Sequence, residues 1–181
     1  MIEGVKELTL ENWDKPDEMI FYFDPEGKNI YLKRILDIVL SEPVPLTVRN
    51  LFEVARNAMI YGYFYYPLYT LAVEQIHRVG ECAIKEKAKQ SNCNVNEKTT
   101  FNQCLELLKK CEILDDESFK KWESMKSLRN HSSHPDKYTL LPTEMIIQYV
   151  KNFAEIINRL FQTNYQGAHY VPLNEPLADK E

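Results

Sequence analysis

Apolar residues recur every three or four positions along most of this chain, and that spacing makes the helix the element able to bury them. After Thr143, the residues Ile146, Ile147, Val150, Phe153, Ala154, Ile157 and Leu160 fall on one helical face. Leu68, Leu71, Ala72, Ile76, Val79 and Ala83 repeat the pattern, as do Phe101, Leu105 and Leu108. So do Leu51, Ala55, Ala58 and Met59 after Thr47. Thr47 and Thr143 are expected to cap their helices, since a hydroxyl oxygen can accept from the free first-turn amides. A shorter helix is expected within 28–40, where Ile35, Ile38 and Val39 share a face. Met19–Phe23 (MIFYF) reads either as a strand or as a packing arm. Gly62 is expected to interrupt a helix, Pro67 to open one, 90–99 to form a polar loop and Glu42–Pro45 a rigid linker. Only 5 glycines in 181 residues suit a helical chain better than a turn-rich β one. The expected fold is all-α, an antiparallel bundle of four or five main helices over 47–162. An N-terminal extension, 1–46, carries the short helix, and 163–181 forms a C-terminal tail.

The net charge of −5 excludes a protein that coats nucleic acid with its whole surface. Tyr61, Tyr63, Phe64, Tyr65 and Tyr66 form an aromatic cluster, expected as packing between two helices, with base stacking as the alternative. Four cysteines, Cys82, Cys93, Cys104 and Cys111, contain no CxxC pair, which argues against zinc. No metal or cofactor is expected. The first residues hold no apolar run flanked by positive charge, and no stretch approaches the length of a membrane span. The expectation is a cytoplasmic protein with reduced thiols and no membrane partner.

One stretch, Ser118–Pro135, carries chemical content. Phe119, Trp122, Met125 and Leu128 make a buried stripe, and Asp115, Asp116 and Glu117 supply acids where a helix begins. Pro135 ends the helix. Just before it stand Arg129, Asn130, His131, Ser132, Ser133 and His134, which hold two of the chain's 4 histidines. Between Ser118 and Lys137, five cationic side chains face two carboxylates, so this segment is locally basic. The other histidines, His77 on a helix and His169 in the tail, carry no functional expectation.

Arginine offers a planar, permanently charged fork to phosphate oxygens, and histidine can move a proton near neutral pH. RNA brings its own nucleophile, the ribose 2′-OH, so no protein nucleophile is needed, nor a metal where side chains handle charge and proton transfer. On an ideal helix Arg129 and His134 lie about 140° apart, so the pair needs the helix to loosen or the arginine to reach across. Asn130 and His134 are four apart, share a face, and allow Asn130 to fix the imidazole tautomer. Arg129, His134 and Asn130 are therefore the candidate catalytic set, with His131, Ser133, Lys126 and Lys137 as substrate-binding groups. The alternatives are a module that binds RNA, nucleotide or a protein partner without cleaving it, and a structural helix end.

The order arginine, polar residue, three residues, histidine in Arg129-Asn130-His131-Ser132-Ser133-His134 resembles the signature of the HEPN superfamily. Its members include prokaryotic toxins, abortive-infection proteins, anticodon nucleases and some CRISPR effectors. The resemblance covers about 47–162 and extends to helix count and motif placement. It implies a metal-independent endoribonuclease, a toxin or phage-defence component, active as a homodimer with two motifs facing across the interface. An antitoxin or other regulatory protein is a further implied partner. Toxins paired with nucleotidyltransferase antitoxins often place a tyrosine two positions after the histidine. Here that position is Asp136, and the nearest tyrosine is Tyr138.

Overall fold

A computed structural model describes residues 5–23, 27–132 and 142–162, with only the backbone described for Phe23 and for 126–132. All regular structure among the described residues is helical. Short helices α1 (Glu18–Phe23) and α2 (Lys28–Leu36) precede α3 (Leu46–Tyr61), α4 (Leu68–Gln90), α5 (Phe101–Lys110), α6 (Asp116–Ser132) and α7 (Thr143–Leu160). None of the described helices is long and apolar enough to cross a membrane.

The bundle is built on α4, which touches α3, α5, α6 and α7. A helix covered on several sides needs small residues where its neighbours come close. Ala72, Gly80, Ala83 and Ala88 are all buried on α4. At Gly80 a β-carbon would stand 2.6 Å from Phe153 Cζ and 3.3 Å from Trp122 Cζ3. The two rings themselves meet edge to face, with centroids 5.9 Å apart. Gly80 thus admits the aromatic wedge through which α6 and α7 seat on α4.

Contacts set the helix directions. α3 and α4 form a hairpin through the Gly62–Pro67 turn, and Gln75 Nε2 donates to the Leu51 carbonyl at 3.2 Å. α7 runs with α4: His77 faces Tyr149, Gly80 faces Phe153, and Lys87 Nζ lies 5.6 Å from the Phe161 ring centroid. α6 runs against α7, with Ser118 beside Arg159 at one end and Met125 beside Tyr149 at the other. The connection 91–100 returns along α4, so Phe101 shares a cleft with His77 and Glu81, while Cys111 at the far end of α5 meets Cys93. Thr100 opens α5 with a reciprocal capping box to Gln103.

The segment before α3 shares the common core, to which Ile20, Tyr31, Ile35, Ile38 and Val44 belong. Asp17 is buried and ties this segment to the α3–α4 turn. Its Oδ2 accepts from the Tyr66 amide at 2.8 Å, its Oδ1 from the Met19 amide at 3.0 Å, and its own amide donates to the Tyr63 carbonyl at 2.9 Å. The Tyr31 hydroxyl donates to the Met59 carbonyl and contacts the Tyr69 hydroxyl, joining α2, α3 and α4. From α7, Asn158 accepts from the Ser41 amide at 2.8 Å and donates to the Val39 carbonyl at 3.1 Å, which holds the linker in place.

Several local expectations are corrected. Met19–Phe23 lies in α1 and not in a strand, because Asp17 accepts from its first amides, and Ile20 turns fully inward. Thr47 and Thr143 are not caps. Pro45 and Pro142 hold the cap positions with extended ψ values of 143° and 139°, and each threonine falls inside the first turn. Thr143 is completely buried. Leu71 is 55% exposed, because Tyr69 and Ala72 occupy the inward face of that turn. Of the aromatic cluster, Tyr63 and Tyr66 are buried with Tyr31 and Tyr69, which makes it core packing.

Two stability measurements test these contacts. Gly80→Ala, ordinarily favourable in a helix by about 1 kcal/mol, is expected to destabilise by about 1–2 kcal/mol in urea unfolding, because overpacking against Phe153 outweighs propensity. Combined with Phe153→Leu the cost should be less than additive; a stabilised single variant would show that the wedge has room. Asp17→Ala strands the Tyr66 amide and is expected to cost about 2 kcal/mol, with Asp17→Asn intermediate.

Candidate functional site on the sixth helix

The start of α6 is held by Asp115, whose Oδ1 accepts from the Ser118 amide at 2.7 Å. Hydrogen bonds from the Ser118 backbone and side chain hold the Asp115 carboxyl below its ordinary range. Glu117 pairs with Lys121 one turn on at 2.5 Å, and Lys109 Nζ sits 4.3 Å from the Phe119 ring centroid. Phe119, Trp122 and Met125 are buried, as their spacing predicts. They fix the helix rotation. Lys120, Glu123 and Ser124 consequently face solvent.

The backbone of α6 stays helical through Ser132, so Lys126, Arg129, Asn130 and His131 occupy its last two turns. Arg129 follows Met125 by one turn, about 40° away in register. Ser133, His134 and Lys137 lie outside the described residues, so the pairing of Arg129 with His134 does too. Because α6 runs against α7, this end of α6 stands at the end of the bundle where α7 begins.

A groove runs between α6 and α7. One part, about 410 Å³, is lined by Lys120, Ser124, Met125, Tyr149 and Asn152. The other, about 230 Å³, is lined by Ser118, Trp122, Arg159 and Leu160, and the two share Glu117, Lys121 and Ile156. Sequence reasoning missed the groove and its α7 residues. Tyr149 carried the available signal, a polar tip four positions before Phe153 on the face that α7 buries. Its hydroxyl is shielded from solvent and has no hydrogen-bond partner among the described residues. Burial pushes its pKa up to about 12, so it is a neutral donor across the physiological range. His77 is buried between α4 and α7, with its ring 6.0 Å from Tyr149 and 6.4 Å from Phe153, in keeping with a structural role. Among the described residues no three histidine, cysteine or acidic side chains gather where they could hold a metal ion.

Neither a curated protein nor a solved structure matches the chain. Residues 59–173 match a family model described as a domain of unknown function, DUF4145. The match begins in the last turn of α3, takes in α4 to α7 whole, and includes the segment from Arg129 to His134. Since it covers well over half of the sequence, the chain belongs to the DUF4145 family.

Proposed function

We propose that this protein is a metal-independent endoribonuclease of HEPN type that cuts RNA through the ribose 2′-OH. The observation that carries the reading is the placement of Arg129, Asn130 and His131 on the closing turns of a core-anchored helix, with His134 following in sequence. Packing of Phe119, Trp122 and Met125 gives the arginine a rigid base, which a phosphate clamp requires. Lys120 on the groove wall extends positive charge back along the helix.

Cleavage needs a base for the 2′-OH and an acid for the departing 5′ oxygen. One His134 serves one role, so a homodimer with two motifs in one site supplies both. Arg129 from each chain then holds the phosphate as negative charge builds on it. Asn130 orients the imidazole. His131, Ser133, Lys126 and Lys137 bind the strand. The reading places the protein in the cytoplasm, as a toxin or defence component that a regulatory partner holds in check. The net charge of −5 favours a second reading, a non-catalytic module that binds RNA, nucleotide or a protein partner.

The test is incubation of the purified chain with a mixed RNA pool and with single-stranded DNA, with and without EDTA, followed by end mapping. RNA should be cut in EDTA to give 2′,3′-cyclic phosphate and 5′-hydroxyl ends, and DNA should survive. A magnesium requirement or 5′-phosphate ends would sink the mechanism. Arg129→Ala and His134→Ala should each lower the rate by about 10²–10⁴-fold with helical circular dichroism unchanged, and Asn130→Ala by less. Light scattering should report a dimer, and a monomer at every concentration would exclude the composite site. A folded dimer inert toward every RNA would favour the binding module.

A further inference from the structure

Two of the four cysteines meet at one end of the bundle, away from the motif. Cys93 Sγ lies 3.5 Å from Cys111 Sγ, in van der Waals contact. Cys111 is exposed and Cys93 partly buried, whereas Cys104 is buried within the core. The two sulfurs meet because α4 and α5 end in the same way. In each, one residue takes a left-handed conformation, Asn92 with φ 53° and Glu112 with φ 56°. The amides of the following residues then fold back: Cys93 donates to the Ala88 carbonyl at 3.0 Å and Ile113 to the Leu108 carbonyl at 3.0 Å. This termination satisfies the last carbonyls of a helix and turns the chain sharply. Glycine is the usual residue at the turn, and Glu112 pays steric strain to hold it. One helix end puts Cys93 just after its left-handed residue, and the other puts Cys111 just before.

We infer that Cys93 and Cys111 are a reversible disulfide site, closed by a low-molecular-weight disulfide such as oxidised glutathione. In the reducing compartment expected for this chain the pair stays open, and paired thiols there serve transient or sensing roles. Closure asks the sulfurs to move together by about 1.5 Å, to the covalent length. The exposed Cys111, as thiolate, attacks one sulfur of the small disulfide; that S–S bond breaks and one glutathione thiolate leaves, taking up a proton. Cys93 then loses its proton to solvent and attacks the Cys111 sulfur, releasing the second glutathione. Two protein thiols are oxidised and one small disulfide is reduced to two thiols. The order of attack follows from the surroundings: burial, then the hydrogen bond with Cys111, pushes the Cys93 thiol up to about 11, so it reacts second. Cys93 and Cys111 are singled out by their sulfur contact, and burial raises the thiols of Cys82 and Cys104 as well. The bond would enclose α5 and staple the end of α4 to the turn that launches α6.

The experiment treats the reduced, folded chain with oxidised glutathione, quenches in acid, alkylates and maps peptides by mass. The thiol count should fall from 4 to two, with Cys93 linked to Cys111 in the same chain and the link reversed by dithiothreitol. The oxidised protein should melt about 5–10 °C higher, the shift expected for a bridge closing a short loop. Cys93→Ser should instead trap glutathione on Cys111, and a Cys82→Ser/Cys104→Ser variant should oxidise as the wild type does. Four thiols persisting in the folded chain would overturn the inference. So would a stable glutathione adduct on wild-type Cys111, a link to Cys82 or Cys104, or a link between chains.

Discussion

The bundle depends on one close approach. Where α4 has no side chain, at Gly80, the Phe153 ring comes within 2.6 Å of where a β-carbon would be, and Trp122 closes on it from α6. Aromatic rings bury large apolar areas, so the site that accepts them decides how neighbouring helices sit. Here one vacancy on α4 sets both α6 and α7. The rotation of α6 that buries Trp122 also sets the register of its last two turns, which carry Arg129, Asn130 and His131. The candidate chemistry thus rests on a packing contact two turns upstream.

Polar side chains perform a second task. Asp17, Tyr31, Asn158 and Arg56 each bond backbone groups of a different element or loop. Backbone amides and carbonyls drawn into a core need partners, and helices leave them unmatched at their ends and in the turns between. Arg56 and Asn158 meet that need for the segment before α3, and Asp17 and Tyr31 reach from that segment to the backbone of the α3–α4 turn and of α3, so the segment shares the bundle's core. The two left-handed helix ends at Asn92 and Glu112 solve the same problem with backbone alone and bring two thiols together in doing so.

The groove between α6 and α7 follows from the same geometry. Both helices lean on α4, and their outer edges stand apart. Tyr149 lines this groove while its hydroxyl stays shielded, without a partner among the described residues, a costly arrangement for a polar group. Lys120, Ser124 and Asn152 add polar side chains to its lining.

By itself the sequence determined the all-helical class and most of the buried faces. All seven stripe residues of α7 are buried, from Ile146 to Leu160, as are Phe119, Trp122 and Met125 on α6. Such faces are legible because helical spacing is a local property of the chain. The arginine, asparagine and histidine of the motif are legible for the same reason, as residues in order. Other features needed the tertiary structure. Pro45 and Pro142 displaced both threonine caps, because a cap is defined by backbone angles that no spacing reports. Leu71 turned outward because Tyr69 and Ala72 filled the inward face first. The helical pattern runs through Gly80 without marking it, and its role shows only when Phe153 is seen against it. The Cys93 and Cys111 contact joins residues 18 positions apart, and only the folding back of two helix ends brings their sulfurs together.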